Sequence, residues 1–294
     1  MLGSMIVDVL SQEKDISVRA TRRNHAPHFD PGRSVDWVPF DAETDQLATI
    51  VAGTDWVINA IGIIKPLIDE NQPDAVRRAI VVNSLFPFRL AAATKIAKAK
   101  VIQIATDCVF SGRLGNYRED APHDPLDVYG KTKSLGEVTA RDFLNLRCSI
   151  VGPELQNHHS LLDWLLSRPR GSTVKGFANH RWNGVTTLQF ARIVLGLVRS
   201  NSTLSGTQHV VPADTVTKAS LLRMFAATFE RMDLAIEDVD AAEAVDRTLG
   251  TLRPEINEEI WRASTKHGPS SVKSMVAELA AWPRPVERGN TADQ

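Results

Sequence analysis

The chain has 294 residues, a hydrophobic fraction of 43% and a formal net charge of −1 from 34 basic and 35 acidic residues; that is apolar material for one large core or two unequal lobes, with no bulk charge to draw nucleic acid. Its two cysteines, Cys108 and Cys148, belong to no spaced cluster, which argues against a disulfide scaffold or a cysteine zinc site and fits a reducing cytoplasm. The most apolar long stretch, residues 75–99, is broken by Arg77, Arg78, Asn83, Arg89, Lys95 and Lys98, so no uncharged run reaches membrane-spanning length, and no secretion signal opens the chain.

In chain order, the apolar spacing predicts an amphipathic helix over 2–11, strands over 16–21 and 34–40, a helix over 44–52, a strand over 56–60, a long helix over 73–97, a strand over 101–105, a helix over 128–142 and a strand over 144–149. Short β-branched runs alternating with helical-period segments imply a parallel sheet, hence an α/β, Rossmann-like doubly wound domain over residues 1–152. Pro73 sits where a helix tolerates proline, in its first turn, and Gly152-Pro153 breaks the alternation. Residues 153–282 then read as a smaller mixed α/β lobe, with helices near 160–167, 187–199, 218–231 and 271–280 and a strand near 207–211. Residues 283–294 are polar and carry no apolar period, so they are expected to fray as a tail.

The segment Tyr129-Gly-Lys-Thr-Lys133 carries the most chemistry, because a helix places residues four apart on one face and brings a phenol beside an ammonium. A neighbouring cation stabilises the phenolate and is expected to lower the Tyr129 pKa toward the working range, which would let it exchange a proton. Alone, such a pair is as readily a surface helix contact. About twenty residues upstream, Thr106 follows the apolar strand 101–105, at the carboxyl end where open α/β sheets bind ligands. A threonine there is otherwise a turn former.

The run Ala105-Thr-Asp-Cys-Val-Phe-Ser-Gly112, then Tyr117-Arg-Glu119, then Pro125-Leu-Asp-Val-Tyr-Gly-Lys-Thr-Lys-Ser-Leu-Gly-Glu137 resembles the active-site region of the extended short-chain dehydrogenases. It is most similar to the dTDP-4-dehydrorhamnose reductase branch, with its TDxVF strand end and YGxxKxxGE helix. The resemblance implies an NADP(H)- or NAD(H)-dependent oxidoreductase acting on a nucleotide-activated 4-keto-6-deoxysugar. Thr106 would hydrogen-bond the substrate oxygen and Tyr129, Tyr129 would donate the proton, and Lys133 would bind the nicotinamide ribose. Asp107 would touch substrate. Val57-Ile-Asn-Ala-Ile-Gly62 resembles the strand-end element whose backbone lines the cofactor at Ala60 and Gly62, and Asn83 matches the family's helix asparagine. Asp41 matches the acid that recognises the adenine amine, with a helix cap as its plainer role. Met1-Leu-Gly-Ser4 matches the end of the phosphate turn, which places Leu2 and Gly3 beside the pyrophosphate.

Charge argues for the cofactor. The second strand of such folds ends beside the adenosine ribose, and here Arg22 and Arg23 follow it, which would complement a 2′-phosphate, so NADP(H) is favoured over NAD(H). Trp164, Asn179, Arg181 and Trp182 are candidates for stacking and phosphate contacts to a nucleotide in the second lobe, with a core role as the alternative for the tryptophans. The second-lobe resemblance runs through Leu146–Glu154, Asn179–Thr187 and Asp246–Leu249 and is thinner. Rhamnose-type reductases carry a tryptophan soon after the arginine matching Arg147, where this chain has Ile150 and Val151, so the sugar stays open. No metal ligand cluster stands out, and His158-His159 reads as an exposed loop pair.

The family's first strand and the two leading glycines of its phosphate turn have no counterpart here, and the expectation is that an upstream start supplies them. Two other readings stay open: an NAD-retaining nucleotide-sugar epimerase or dehydratase with the same threonine, tyrosine and lysine, and a non-catalytic dinucleotide-binding regulatory subunit. A dehydratase would need an acid–acid pair that Asp107-Cys108 does not supply. No nucleic-acid or membrane partner is expected, and the chain could act as a homodimer.

Overall fold

A computed structural model describes residues 1–23, 35–154, 159–265 and 267–283. The expected tail, except residue 283, and His158 lie outside these. In chain order the elements are α1 (Leu2–Ser11), β1 (Arg19–Arg22), β2 (Asp36–Pro39), α2 (Ala48–Val51), β3 (Trp56–Asn59), α3 (Pro73–Ala79), α4 (Phe86–Ala97), β4 (Lys100–Thr106), α5 (Val128–Leu135), β5 (Phe143–Cys148) and β6 (Ile150–Val151). They continue with α6 (Leu161–Leu166), β7 (Thr173–Phe177), β8 (His180–Trp182), β9 (Val185–Thr186), α7 (Thr187–Arg199), β10 (Gly206–His209), β11 (Val216–Thr217), α8 (Lys218–Thr228), β12 (Ala235–Val239), β13 (Val245–Asp246), α9 (Pro254–Thr265) and α10 (Val272–Ala281).

The α/β class and the parallel sheet expected from the alternation are present. β10, β5, β4 and β3 form a four-stranded parallel sheet in that order, and β1 pairs with β2 in a separate parallel ladder. Among the described residues no strand joins β1 to β3. β5 is buried along its whole length, as a central strand covered on both faces must be. The chain beyond residue 152 does not keep to one lobe, because β10 extends this sheet and α7 packs on its face with α1. That layer is the main core, where Leu2, Ile6 and Val9 of α1 meet Ile102, Leu144 and Leu146 of the sheet and Leu188, Ala191 and Val194 of α7. On the other face Phe86 and Leu90 of α4 pack with Phe40, Val101 and Phe143.

Two helices depart from expectation. The helix predicted over 73–97 contains a π-helical turn, Ile80–Leu85, between α3 and α4. The helix predicted over 128–142 stops at Leu135, because Gly136 packs so closely on the π turn that a Cβ there would lie 2.0 Å from the Asn83 carbonyl oxygen. The segment predicted as helix over 44–52 is helical only at Ala48–Val51, and the strand predicted over 16–21 begins at Arg19. The two- and three-residue strands of the second lobe carry no periodic signal long enough to be predicted, and helix α9, though amphipathic, is not among the predicted elements.

Candidate functional site

The buried strand β4 runs out at Thr106, paired with Cys148, and turns sharply through a 3₁₀ turn at Asp107–Val109. The Thr106 hydroxyl accepts from the Cys108 amide at 3.2 Å and donates to Asp107 Oδ1 at 3.2 Å, which fixes the turn. α5 begins opposite. Asp127 caps it, accepting from the Gly130 amide at 2.8 Å while pairing with Lys65 at 2.8 Å. A Cβ at position 130 would sit 2.3 Å from the Cys108 carbonyl oxygen. Glycine after Tyr129 therefore lets the helix start press against the Thr106 turn, which is what brings phenol and hydroxyl together.

Burial pushes the Tyr129 phenol above its usual range, the Cys108 and Asp107 groups push the same way, and the neighbouring Thr106 hydroxyl pulls it back down. Lys133 does not produce the expected lowering. Its ammonium donates to the Ile104 carbonyl at 2.8 Å, committed to the strand rather than to the phenol, and burial brings its own pKa down to about 8 against the pull of Glu137. In the free protein burial thus favours the neutral, protonated phenol of Tyr129.

Of the predicted cofactor residues, Asn83 is bonded to the helix that carries this pair. Asn83 lies in the π turn, where its side chain accepts from the Ile63 amide at 2.8 Å and donates to the Ile63 carbonyl at 3.0 Å and to Thr132 Oγ1 at 3.2 Å. It ties the backbone after β3 to the helix that carries Tyr129. Gly62 lies under Asn83, and Gly3, inside α1, lies against Ala60, so that a Cβ there would make ordinary 3.5 Å contact. Leu2 is buried in the core rather than presented to a ligand. Arg22 ends β1 with its guanidinium 5.4 Å from the Trp37 ring centroid, and its Nε and Nη1 are buried with no hydrogen-bond partner among the described residues. Arg23 is exposed. Asp41 serves a turn, its Oδ1 accepting from the Glu43 amide at 2.8 Å.

On the substrate side the expectations divide. Asp107 is 9% exposed, and burial raises its pKa against the pull of Arg247 and Lys218. Trp182 is 5% exposed, and its indole donates to Ser149 Oγ at 2.8 Å, so it is a core residue forming the floor of a cleft and offers no open stacking face. Trp164 is held under Arg168, and Asn179 bonds the Ala241 backbone, so both are structural. Arg181 is exposed and lines a different, polar cavity of about 350 Å³ with Asn116, Asp246 and Thr248. The cleft above Trp182, about 200 Å³, is lined by Ile64, Pro66, Ser149, Ile150, Glu154 and Lys218. Among the described residues no group of histidine, cysteine and acidic side chains could hold a metal.

Sequence reasoning gave no site role to three contributors. Arg247 donates from Nε to the Phe110 carbonyl at 2.9 Å beneath the catalytic turn. Lys218 lies beside Asp107 and Cys108. Arg147, 2% exposed at its side chain, meets Glu137, two residues beyond the end of α5, through two hydrogen bonds of 3.0 and 2.5 Å and donates to His209 at 2.7 Å and His123 at 2.8 Å, with the Phe110 ring 5.1 Å away. Glu137 was visible as the end of the YGxxKxxGE pattern, but nothing local in the sequence tied it to Arg147.

The family model described as RmlD substrate binding domain matches residues 1–279. The spore coat polysaccharide biosynthesis protein SpsK of Bacillus subtilis is 37% identical over 79 residues, 25% of this chain and 28% of that protein's length. A probable low-salt glycan biosynthesis reductase, Agl14, of Haloferax volcanii is 29% identical over 227 residues, 74% of this chain and 73% of that protein. Among solved structures, a hypothetical dTDP-4-dehydrorhamnose reductase from Sulfolobus tokodaii superposes with a TM-score of 0.71 at 19% identity, covering 92% of this chain and 93% of that one. A dTDP-4-dehydrorhamnose reductase from Bacillus anthracis in complex with NADP does so at 0.65 and 17% identity, over 83% and 89%.

Proposed function

Because the chain belongs to the RmlD substrate binding domain family, we propose that it reduces a nucleotide-activated 4-keto-6-deoxysugar with NADPH. The observation that carries this reading is the convergence of Thr106 and Tyr129 at the mouth of β4, with Lys133 one helical turn further on and Asn83 pinning the strip on which a dinucleotide would lie. Arg22 suits a 2′-phosphate, since its buried Nε and Nη1 have no hydrogen-bond partner among the described residues. A bound nicotinamide would supply the hydride. The chain's own residues do the rest: Thr106 donates to the keto oxygen, Tyr129 gives that oxygen its proton as negative charge develops, and Lys133, anchored on the Ile104 carbonyl, would hold the ribose.

Dehydration fits less well. Burial pushes the Cys108 thiol up to about 12, so the residue after Asp107 stays a neutral thiol at working pH and cannot act as the second acid–base group. The test is NADPH oxidation with a panel of dTDP- and UDP-linked 4-keto-6-deoxysugars, alongside NADH. Substrate-dependent oxidation of NADPH supports the reading. A product formed with no net change in dinucleotide would favour the epimerase instead, and absence of turnover with intact dinucleotide binding would favour a regulatory subunit.

A further inference from the structure

Lys218 opens α8, directly after the Thr217 cap, and its side chain reaches back toward the catalytic turn. The ammonium lies 5.7 Å from the Trp182 ring centroid and lines the cleft that Ile64, Pro66, Ser149 and Ile150 complete. Its charged and titratable neighbours are Asp107, Cys108 and Arg247. Among the described residues it makes no hydrogen bond and no ion pair.

That is unusual for a half-buried ammonium in this chain. Lys133 donates to Ile104, and Lys100, also half-buried, makes three hydrogen bonds around Asn201 and Ser202. A partly desolvated ammonium with unused donors is held at a disadvantage unless something else arrives to accept from it. The acids nearby are already engaged: Asp107 accepts from Thr106, and Glu154 from the amides of His159 and Ser160. Burial also lowers the Lys218 pKa, as expected of a cation without a close partner.

We propose that Lys218 reads the sugar, donating from its ammonium to a ring hydroxyl beside the keto carbon while Ile64, Pro66 and Ile150 take the deoxy carbon. This rests on the nucleotide-sugar reading above and adds a specificity residue to it. The placement favours the sugar over the diphosphate for two reasons. Lys218 faces Asp107 and Cys108, the residues adjoining Thr106, and so addresses the reacting end of the ligand. A diphosphate in the same cleft would also meet the carboxylate of Glu154, which lines it.

The test is calorimetric titration of the full chain and of Lys218→Met and Lys218→Arg with dTDP, dTDP-rhamnose, UDP and UDP-glucose. NADPH binding serves as the check that each variant is folded. We expect Lys218→Met to weaken the nucleotide sugar that the parent binds at least tenfold while free nucleotide changes less than twofold, and Lys218→Arg to recover most of the loss. Equal weakening of sugar and free nucleotide would overturn the proposal in favour of a phosphate contact. Unchanged binding of the nucleotide sugar would overturn it in favour of a packing role, with the nucleotide-sugar reading intact. If the parent binds none of the four probes, that reading fails and this one with it.

Discussion

Replacing Arg147 with methionine should cost more than any other single change near the site. The guanidinium is 2% exposed and the Glu137 carboxylate 8%, and the two share hydrogen bonds at 3.0 and 2.5 Å. Methionine fills much the same volume, so the loss is one of charge compensation. Glu137 would keep a long contact from Thr207 Oγ1 at 3.4 Å, with His123 Nε2 4.0 Å away. Breaking a buried pair by removing one partner costs about 3–5 kcal/mol, whereas removing both is often near neutral. Unfolding entropy of about 2.1 cal/mol/K per residue makes roughly 0.6 kcal/mol/K for a chain of 294 residues, so Tm should fall by about 5–8 °C.

The loss should depend on pH. Burial and then Arg147 hold the His123 pKa below its usual value. Without Arg147 the unpaired Glu137 pulls that pKa up, so a protonated His123 can stand in for the lost cation. A raised folded-state pKa gives stability that is present at low pH and lost as pH rises through it. The Arg147→Met deficit should therefore be smaller at pH 5.5 than at pH 8, and the double variant Arg147→Met/Glu137→Met should recover most of the stability at both. Scanning calorimetry of the three proteins at the two pH values measures this. A single variant melting within about 1 °C of the parent, or a double variant worse than the single, would refute the reasoning.

Other expectations concern the reaction. Tyr129→Phe should lower turnover by at least about a hundredfold with NADPH affinity little changed, because only the proton is lost; near-normal turnover in steady-state assays would remove Tyr129 from the mechanism. Arg22→Ala should weaken NADPH binding by about 1–3 kcal/mol and leave NADH nearly unaffected, since the lost contact is to the 2′-phosphate; quenching of Trp37, which packs under Arg22, offers a direct readout, and equal losses for both cofactors would assign the arginine another task. Lys133 titrates at about 8 in the free protein, lowered by burial, so its cation is present below that pH and lost above it. The pH profile of kcat/KM for reduction should accordingly fall on the alkaline side of pH 8, and a profile flat to pH 9.5 would show that the lysine charge is not used.

The first lobe was legible because its signals are local and repeated. Strands at 56–60, 101–105 and 144–149 appear within a residue or two of prediction, and the Tyr129 to Lys133 spacing falls on a helix as expected. Where local pattern misled, a side chain from elsewhere had intervened. The π turn at Ile80–Leu85 cannot be seen in the apolar spacing of 73–97, because the segment stays helical and only its hydrogen-bond register changes, with Asn83 bonded to Ile63 and Thr132. The early end of α5 follows from the contact of Gly136 with that same turn.

The second lobe was harder for a different reason. Strands of two or three residues, such as β8, β11 and β13, are too short to show a period, and β10 joins the first sheet through a pairing with β5 that spans some sixty residues of sequence. The same distance hid half of the site. Arg247 and Lys218 reach the Thr106 turn from the far lobe, and neither belongs to a motif whose spacing would announce it. Trp182 shows the converse error, since a residue type suited to stacking on a ligand is here consumed by a hydrogen bond to Ser149 and by core packing. The division has a chemical logic. Residues that exchange protons with the substrate must sit on rigid neighbouring elements, so β4 and α5 carry them in a contiguous stretch that sequence can read. Residues proposed to distinguish one sugar from another need only reach the same cleft from any direction, and Lys218, a single lysine at the start of α8, would do so without leaving a pattern.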